Sequence, residues 1–298
     1  MKSGAVAVVG RANAGKSTLI NVIVGEKVSI VSPKPQTTRD RILAVYNEED
    51  CQIVFQDTPG VYKASTLLSE RMQKATDNAS KDVDLILLLI DAHDGLKDED
   101  ASLVKRFAER KIPMIVAFTK TDIMQKNTLL SAIAGLGKLP ENVCDVTSIC
   151  SRTGKNVKKL LSLIKDRSPE GEPLIAEDII SDKSEKFMIS EIMREKMLLK
   201  YDKEIPHGVA IVINEFTRRD NGGYYVNLDI VCEKQNHKAI IIGKQGKAIK
   251  ETAGFAREGM EKFLGAKVFL EVYVKVKEDW RDRPDRLKEF GYSEDDIH

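Results

Sequence analysis

The segment from residue 10 to residue 17 has the composition of a phosphate-binding loop. It fits the pattern G-x-x-x-x-G-K-[ST] and follows an apolar run at 5–9. Its glycines allow backbone N–H groups to converge on phosphate oxygens, and a following helix adds its positive N-terminal end. Lys16 can neutralise the β- and γ-phosphates, and the Ser17 hydroxyl can bind Mg²⁺. The predicted members of this site are Gly10, Arg11, Ala12, Asn13, Ala14, Gly15, Lys16, Ser17 and Thr18.

A second motif, Asp-Thr-Pro-Gly, follows the apolar run 51–56. Asp57 can hold Mg²⁺ through water, and the Gly60 N–H can sense a γ-phosphate. The position after the motif, where many GTPases place a glutamine that orients water, is Val61. Since valine cannot hydrogen-bond water, we expect slow intrinsic hydrolysis. The predicted ligand-binding residues here are Asp57, Thr58, Pro59, Gly60 and Val61.

Two further segments predict the base that is bound. Asp122 closes the Thr-Lys-Thr-Asp segment after the run 113–118, and its two oxygens can accept from guanine N1–H and N2–H₂. Adenine has an acceptor at N1 and no amine at C2, so a carboxylate rejects it. After the run 143–147, a backbone N–H could meet guanine O6. The predicted guanine-site residues are Thr119, Lys120, Asp122, Cys150 and Ser151.

The segment 36–40 (Gln-Thr-Thr-Arg-Asp), the switch loop, lies between the first predicted helix and a hairpin. Thr38 is the candidate for completing Mg²⁺ coordination when a γ-phosphate is present, and Thr37 is the alternative. Loss of the phosphate would release the loop. The metal ligands expected are therefore Ser17, Thr38 and Asp57, and the residues expected to act in hydrolysis are Lys16, Thr38, Gly60 and Asn13.

The C-terminal part carries a second functional motif, I-I-G-x-x-G-x-x-I, from residue 241 to residue 249. Two glycines permit a tight turn and close approach of a sugar–phosphate backbone. Residues 237–277 contain nine basic and four acidic side chains, a local charge of +5 within a chain of net charge +1. The predicted RNA-binding residues are Ile242, Gly243, Lys244, Gln245, Gly246, Lys247 and Lys250.

The apolar pattern predicts two domains that position these motifs. Runs at 5–9, 51–56, 84–91, 113–118 and 143–147 alternate with helical segments such as 98–110 and 155–167, which indicates a mostly parallel α/β sheet with helices on both faces. The runs 42–46 and 51–56 flank a hairpin turn. After a proline- and glycine-containing linker, the order α-β-β-α-α-β is expected. The predicted boundaries are 1–167, 168–182 and 183–298.

Composition excludes several classes of protein. With 31% charged and 42% hydrophobic residues, the chain of 298 residues is not of the disordered type. The longest aliphatic run, Leu85 to Ile90, is too short for a membrane span, and the strand-like run that starts at residue 5 leads us to expect no signal peptide. Four scattered cysteines indicate reduced thiols, so we expect a cytoplasmic protein.

The ordered motifs resemble those of the translation-factor-related GTPases, and the G-x-x-G module resembles a type II KH domain. Together, over essentially the whole chain, they resemble the Era family of ribosome-assembly GTPases. The resemblance implies binding of GTP and GDP with Mg²⁺, binding to the 3′ end of small-subunit ribosomal RNA and to the small subunit, and assistance in its assembly and maturation. It also implies a monomer. Peripheral contact with the inner face of the membrane is a property of the family for which this sequence carries no signal.

Three details of the resemblance concern particular residues. The family pattern at 119–122 is usually Asn/Thr-Lys-x-Asp, and Thr119 in place of Asn is expected to lose an amide that bridges the base and the phosphate loop, with somewhat weaker nucleotide affinity and unchanged guanine preference. The family's Ser-Ala is Cys150-Ser151 here, which preserves the backbone contact. In similar GTPases with an apolar residue at the Val61 position, an asparagine at the Asn13 position helps to bind K⁺; the alternative for Asn13 is a turn former.

Two other functions stay open on the sequence. A small-molecule P-loop kinase would share residues 10–17 but would not need the guanine motif, and competition of GTP binding by ATP distinguishes it. A signalling GTPase would act on protein effectors with a C-terminal module that does not bind RNA. In that module we expect Trp280 to be a packing anchor. We expect Arg194, Lys196 and Lys200 to lie on a solvated face.

Overall fold

The chain forms two β-sheets, each with its own helices, in the computed structural model, which describes residues 1–61, 64–93, 95–124 and 126–292. The strands of the first sheet are β1 (Lys2–Gly10), β2 (Ile42–Glu48), β3 (Cys51–Asp57), β4 (Leu85–Asp91), β5 (Met114–Thr119) and β6 (Val143–Ser148). Its helices are α1 (Lys16–Val24), α2 (Leu67–Ala79), α3 (Asp98–Ala108), α4 (Lys126–Gly135) and α5 (Val157–Arg167).

The first sheet has the order β2-β3-β1-β4-β5-β6. Only β2 runs antiparallel to its neighbour, as the hairpin prediction required, and the other pairs are parallel. Strands β3 and β4 are buried along their whole length, because helices cover both faces of the sheet. The carboxyl ends of β1, β3 and β5 therefore meet at one edge, which brings the predicted nucleotide motifs together. The helices α2 and α4 were not among the elements predicted.

The second domain has the predicted order of elements. They are α6 (Glu185–Lys200), β7 (Ala210–Arg218), β8 (Tyr224–Cys232), α7 (Gln235–Ile242), α8 (Lys247–Leu264), β9 (Val268–Val276) and a final α9 (Pro284–Glu289). The sheet order is β7-β8-β9, antiparallel then parallel. Helices α6, α7 and α8 pack on one face. Trp280 is fully buried against the other face and its Nε1 donates to the Gly208 carbonyl at 2.9 Å, which confirms its role as a packing anchor.

The segment between α5 and α6 lies along the edge strand β2. The Val45 N–H donates to the Ile180 carbonyl at 2.8 Å. The buried Gln52 side chain donates to the Ile175 carbonyl at 2.7 Å and accepts from the Ile175 N–H at 3.0 Å. This interdomain segment is therefore hydrogen-bonded to the first domain along its length. Within the described part of the chain, none of the helices has the length and apolar character needed to cross a bilayer.

Candidate nucleotide site and nucleic-acid interface

The phosphate loop turns from β1 into α1 on two glycines. Gly10 has φ +148° and Gly15 has φ +90°, backbone conformations that L side chains rarely adopt. A Cβ at Gly10 would also lie 2.4 Å from the Leu89 carbonyl oxygen on β4. Helix α1 begins at Lys16, directly after this turn, so its N-terminal end faces the inside of the loop.

The Lys16 ammonium is buried within the loop. Its Nζ donates to the carbonyls of Gly10 at 3.2 Å and Arg11 at 3.0 Å. Burial lowers the pKa of Lys16 to about 8, and the nearby Asp57 carboxylate opposes this shift. Phosphate oxygens favour the charged form in the same way, so a nucleotide and Lys16 stabilise one another. The Arg11 guanidinium lies outside the loop, where its Nε donates to Asp100 of α3 at 2.7 Å.

The three side chains predicted to bind Mg²⁺ meet where α1, the switch loop and β3 converge. Ser17 Oγ lies 3.0 Å from Thr38 Oγ1, which lies 3.5 Å from Asp57 Oδ2. The Thr37 hydroxyl instead donates to the Lys34 carbonyl at 2.7 Å, so the geometry favours Thr38 over Thr37. Asp57 Oδ1 is buried without a hydrogen-bond partner among the described residues. Hydroxyl and carboxylate oxygens suit Mg²⁺, and the residues present therefore fit this ion.

The motif after β3 packs directly on the phosphate loop. A Cβ at Gly60 would lie 2.6 Å from Ala12 Cα, so glycine is required by close approach. The next residue, Val61, donates its N–H to the Gly10 carbonyl at 3.2 Å. Thr58 and Pro59 hold the segment in place: the Thr58 hydroxyl donates to a β1 carbonyl at 2.7 Å, and the Pro59 carbonyl accepts from a hydroxyl of α2 at 3.0 Å.

The predicted guanine residues surround a separate cavity of about 260 Å³. Its lining includes Gly15, Thr18, Thr119, Lys120, Asp122, Ile123, Cys150, Ser151 and Arg152. A hydrogen bond from the Cys150 thiol and the charge of the Arg152 guanidinium hold the pKa of Asp122 below its usual value. Asp122 is thus an ionised acceptor at neutral pH, as recognition of guanine N1–H and N2–H₂ requires.

Thr119, at the end of β5, is hydrogen-bonded to the phosphate loop. Its hydroxyl donates to the Ala14 carbonyl at 2.8 Å, so β5 is still joined to the phosphate loop. The loop side of the bridge is thus present with a hydroxyl, while the expected loss of the amide and the weaker nucleotide affinity stay predictions. Lys120 is held by Asp91, with Nζ 2.5 Å from Oδ2.

A larger cavity of about 610 Å³ extends from the phosphate loop over the switch loop. Its lining includes Lys16, Ser17, Thr38 and Gly60, and also Leu199 of α6. A helix of the second domain therefore reaches the nucleotide cavity.

Two arginines join the switch loop to the second domain, and we call this arrangement the interdomain clasp. The buried Arg39 guanidinium donates to the carbonyls of His207 at 2.8 Å and Val209 at 2.7 Å. It lies beside the rings of Trp280 and Tyr292, 5.9 Å from each centroid, and these two rings stack on one another at 6.0 Å. Burial lowers the pKa of Arg39, but a guanidinium stays charged in proteins.

Arg194 of α6 forms the other half of the clasp. Its guanidinium donates to the carbonyls of Gln36, at 3.3 Å, and of Thr37. Glu191 pairs with it, with Oε1 2.7 Å from Arg194 Nε. Arg194 is 1% exposed, so the expectation that it lies on a solvated face is wrong, since the switch loop covers that face of α6. Lys196 and Lys200 are half-buried and pair with acids.

The helix that follows Gly60 also contacts the second domain. Leu68 and Met72 of α2 are buried in one cluster with Trp280 and Leu287. The Leu67 N–H donates to Asp282 Oδ1 at 2.9 Å. Both nucleotide-sensing segments of the first domain therefore contact the second domain.

The predicted RNA-binding loop joins α7 to α8. Gly243 and Gly246 have φ +70° and +74°. A Cβ at Gly243 would lie 2.6 Å from Ala248 Cβ, whereas a Cβ at Gly246 would face open space. Gln245 also has positive φ, 52°, and the Lys244, Lys247 and Lys250 side chains are exposed. Among the described residues, none of these lysines forms an ion pair, so their charge is directed at solvent.

The clasp was the part of the site that sequence reasoning missed. One signal was present: Glu191 and Arg194 lie three positions apart within a run of apolar residues of α6, where a solvated pair would be unusual. For Arg39 the sequence offers only its place beside Thr38, because its partners are backbone carbonyls about 170 positions away.

Comparisons with known proteins agree with this geometry. The family described as a 50S ribosome-binding GTPase matches residues 5–120, and the KH domain family matches residues 204–281. GTPase Era of Clostridium kluyveri (strain ATCC 8527) is 42% identical over 98% of this chain and 99% of its own length. GTPase Era of Clostridium botulinum (strain Eklund 17B) is 41% identical over 98% of each chain.

Two solved structures superimpose on nearly the whole chain. One is a variant of Aquifex aeolicus Era bound to GDP·AlF₄⁻, with 38% identity, a TM-score of 0.94 and coverage of 98% of this chain and 100% of that one. The other is Era in complex with MgGDPNP and nucleotides 1506–1542 of 16S ribosomal RNA, with 38% identity, a TM-score of 0.93 and coverage of 98% and 99%. With its phosphate loop, guanine cavity and G-x-x-G loop in these positions, the chain belongs to the Era family of GTPases, in which a GTPase domain precedes a KH domain.

Proposed function

We propose that the protein binds the 3′ end of small-subunit ribosomal RNA under the control of GTP and assists assembly and maturation of the small subunit. Support comes from the relative solved with a GTP analogue and a 16S ribosomal RNA segment, which has the same arrangement over 98% of this chain. The exposed lysines of the G-x-x-G loop supply the charge that an RNA backbone requires. In this proposal the protein acts as a cytoplasmic monomer, with domain boundaries at 1–167 and 183–298.

The interdomain clasp is the observation that carries the control by GTP. Arg194 binds the carbonyls of Gln36 and Thr37, which precede Thr38. Arg39, which follows Thr38, binds the Val209 carbonyl of the second domain. A γ-phosphate and Mg²⁺ that engage Thr38 would therefore also fix the segment that contacts the KH domain. Two structures of similar arrangement hold a GTP analogue or GDP·AlF₄⁻, so the clasped arrangement is assigned to the triphosphate-like state.

The residues around the phosphates determine how hydrolysis proceeds. Ser17, Thr38 and Asp57 would hold Mg²⁺, which when bound neutralises the negative charge of the β- and γ-phosphates. Lys16 adds a second positive charge there, and Gly60 offers its backbone N–H. Val61 has no group that orients water, so the intrinsic rate is slow.

Asn13 is proposed to help bind K⁺ as a second cation. Its side chain donates from Nδ2 to the Pro33 carbonyl at 2.5 Å. The amide oxygen is left to bind K⁺ at the edge of the phosphate cavity. We expect GTP hydrolysis under single-turnover conditions to be about ten-fold faster in KCl than in NaCl of equal ionic strength, because a cation there stabilises developing charge. Asn13→Ala should abolish the difference. Equal wild-type rates in the two salts would rule K⁺ out.

RNA binding is expected to depend on the open position at Gly246. Gly246→Asp places a carboxylate where the backbone of RNA must approach, and it should lower affinity for the 1506–1542 RNA segment by about 100-fold or more. GTP affinity should stay unchanged. The matched control is Gly265→Asp, since Gly265 ends α8, has φ +64° and also has open space around it.

The result distinguishes the proposed function from a signalling role. Loss of RNA affinity in Gly246→Asp alone supports RNA recognition by the loop. Equal RNA affinity in the two variants and the wild type would show that the loop does not bind RNA and would favour protein effectors.

A further inference from the structure

The sheet of the KH domain has a second face, opposite its helices, that the G-x-x-G loop does not use. One half of this face is covered, because Ala210, Val212 and Val231 pack in the cluster of Trp280. The other half, near the β7–β8 turn, carries aromatic side chains. Phe269, which pairs with Tyr225 near the turn, is 51% exposed. Tyr273 lies four residues further along the edge strand β9, beyond Glu271 and opposite Asp229, and is 54% exposed.

The aromatic residues form an ordered group with one arginine. The rings of Tyr225 on β8 and Phe269 on β9 are stacked, with centroids 5.9 Å apart and an interplanar angle of 22°. The exposed Arg219 guanidinium lies 5.1 Å from the Tyr225 centroid and 4.8 Å from the Phe269 centroid. A cation over two aromatic faces is an arrangement that also stacks on nucleobases.

Hydrogen-bonding groups adjoin the rings. Glu271 Oε2 accepts from the Tyr225 hydroxyl at 2.8 Å and from Asn227 Nδ2 at 3.2 Å. In the strand register, Glu215 pairs with Asn227 and Asn227 pairs with Glu271, so a row of two carboxylates and an amide crosses the sheet next to the aromatic row. Carboxylates at this place repel phosphates but accept hydrogen bonds from exocyclic amines of bases. The chemistry therefore suits unpaired bases rather than an RNA backbone.

This face is continuous with the RNA-binding loop around the edge of the sheet. Helices α7 and α8, which flank the loop, pack on β9, and β9 is an edge strand of the sheet, with no further strand beside it in the described part of the chain. An RNA strand bound at the G-x-x-G loop would reach Phe269 and Tyr273 by passing over the β9 edge of the sheet. Four residues along a strand separate the two rings by about 13 Å, which gives room for more than one base.

We propose that Tyr225, Phe269, Tyr273 and Arg219 form a second RNA site, which stacks unpaired bases of the RNA segment whose backbone is held by the G-x-x-G loop. This inference rests on the proposed RNA-binding function. In this inference the G-x-x-G loop binds the phosphates of the RNA, and the sheet face opposite the helices binds its bases.

The test is the affinity of the full chain, loaded with a GTP analogue, for the 1506–1542 RNA segment at several salt concentrations. Phe269→Ala and Tyr273→Ala should each lower the affinity by about ten-fold, the loss expected for one stacked base. The slope of affinity against salt should stay at the wild-type value, because no phosphate contact is lost. Lys244→Ala should instead reduce the slope.

Two variants serve as controls. Phe255→Ala removes a side chain that is equally exposed, at 53%, but lies on α8, and it should leave the affinity unchanged. Phe269→Tyr keeps an aromatic ring and should bind like the wild type. Circular-dichroism melting of each variant establishes that the sheet is intact.

The outcomes separate this inference from the proposed function. Weaker binding in the two ring-deleting variants, with the salt slope kept, supports the second site. Wild-type affinity in both variants, while Gly246→Asp still loses binding, overturns the second site alone. If the wild type does not bind the RNA at all, the proposed function itself fails.

Discussion

Replacing Arg39 by alanine is expected to remove most of the dependence of RNA affinity on the bound nucleotide. The side chain donates to two carbonyls of the KH domain and packs beside two aromatic rings, so its loss leaves buried acceptors without partners. Such acceptors cost about 1–3 kcal/mol each, which is comparable to a typical coupling energy between two sites. The ratio of RNA affinity with a GTP analogue to that with GDP should fall at least five-fold, towards one.

The coupling is reciprocal, which supplies a second readout. RNA should raise the affinity of the wild type for the GTP analogue, relative to its affinity for GDP, by the same factor, and this effect should also vanish in Arg39→Ala. Arg106→Ala is the control, because Arg106 is a partly exposed arginine of α3 whose ion pair, with Asp77, lies within the first domain. An unchanged affinity ratio in Arg39→Ala would show that the nucleotide acts by another route.

Arg194→Ala is expected to have the largest effect on stability. Arg194 is 1% exposed, and it is the cation that compensates the buried Glu191 carboxylate. Removal of one partner of a buried ion pair costs about 3–5 kcal/mol. The melting temperature should therefore fall by several degrees. The carbonyls of Gln36 and Thr37 also lose their hydrogen-bond donor.

A double variant separates stability from control of RNA binding. Glu191→Leu with Arg194→Met replaces the pair by apolar side chains of similar size, which often restores stability. We expect the melting temperature of the double variant to return close to the wild-type value while the nucleotide dependence of RNA affinity stays low. If both properties recover together, Arg194 has only a structural role.

The phosphate and guanine motifs were predictable because each is local. Lys16, Ser17 and Asp57 lie at the ends of strands whose apolar pattern indicates a parallel sheet, and such ends meet at one edge. The α-β-β-α-α-β order of the second domain was predictable for the same reason. The helices α2 and α4 were less evident; α4 has little separation of apolar and polar sides.

The clasp was not predictable because it depends on how two domains meet. Arg194 lies on a helix whose sequence indicates neither which side contacts its own sheet nor which side contacts the switch loop. The choice between Thr37 and Thr38 likewise needed coordinates, since both hydroxyls lie in the same loop and only that of Thr38 faces Ser17. The hydrogen bond from the Thr119 hydroxyl to the Ala14 carbonyl also needed coordinates, because these residues are 105 positions apart.

The most direct measurement of nucleotide control is the RNA affinity of the unaltered chain in its two nucleotide states. The 1506–1542 RNA segment should be titrated at one salt concentration, with Mg²⁺, against protein saturated with a non-hydrolysable GTP analogue or with GDP. Our account predicts binding about 5-fold to 150-fold tighter with the analogue. Equal affinities in the two states would contradict it.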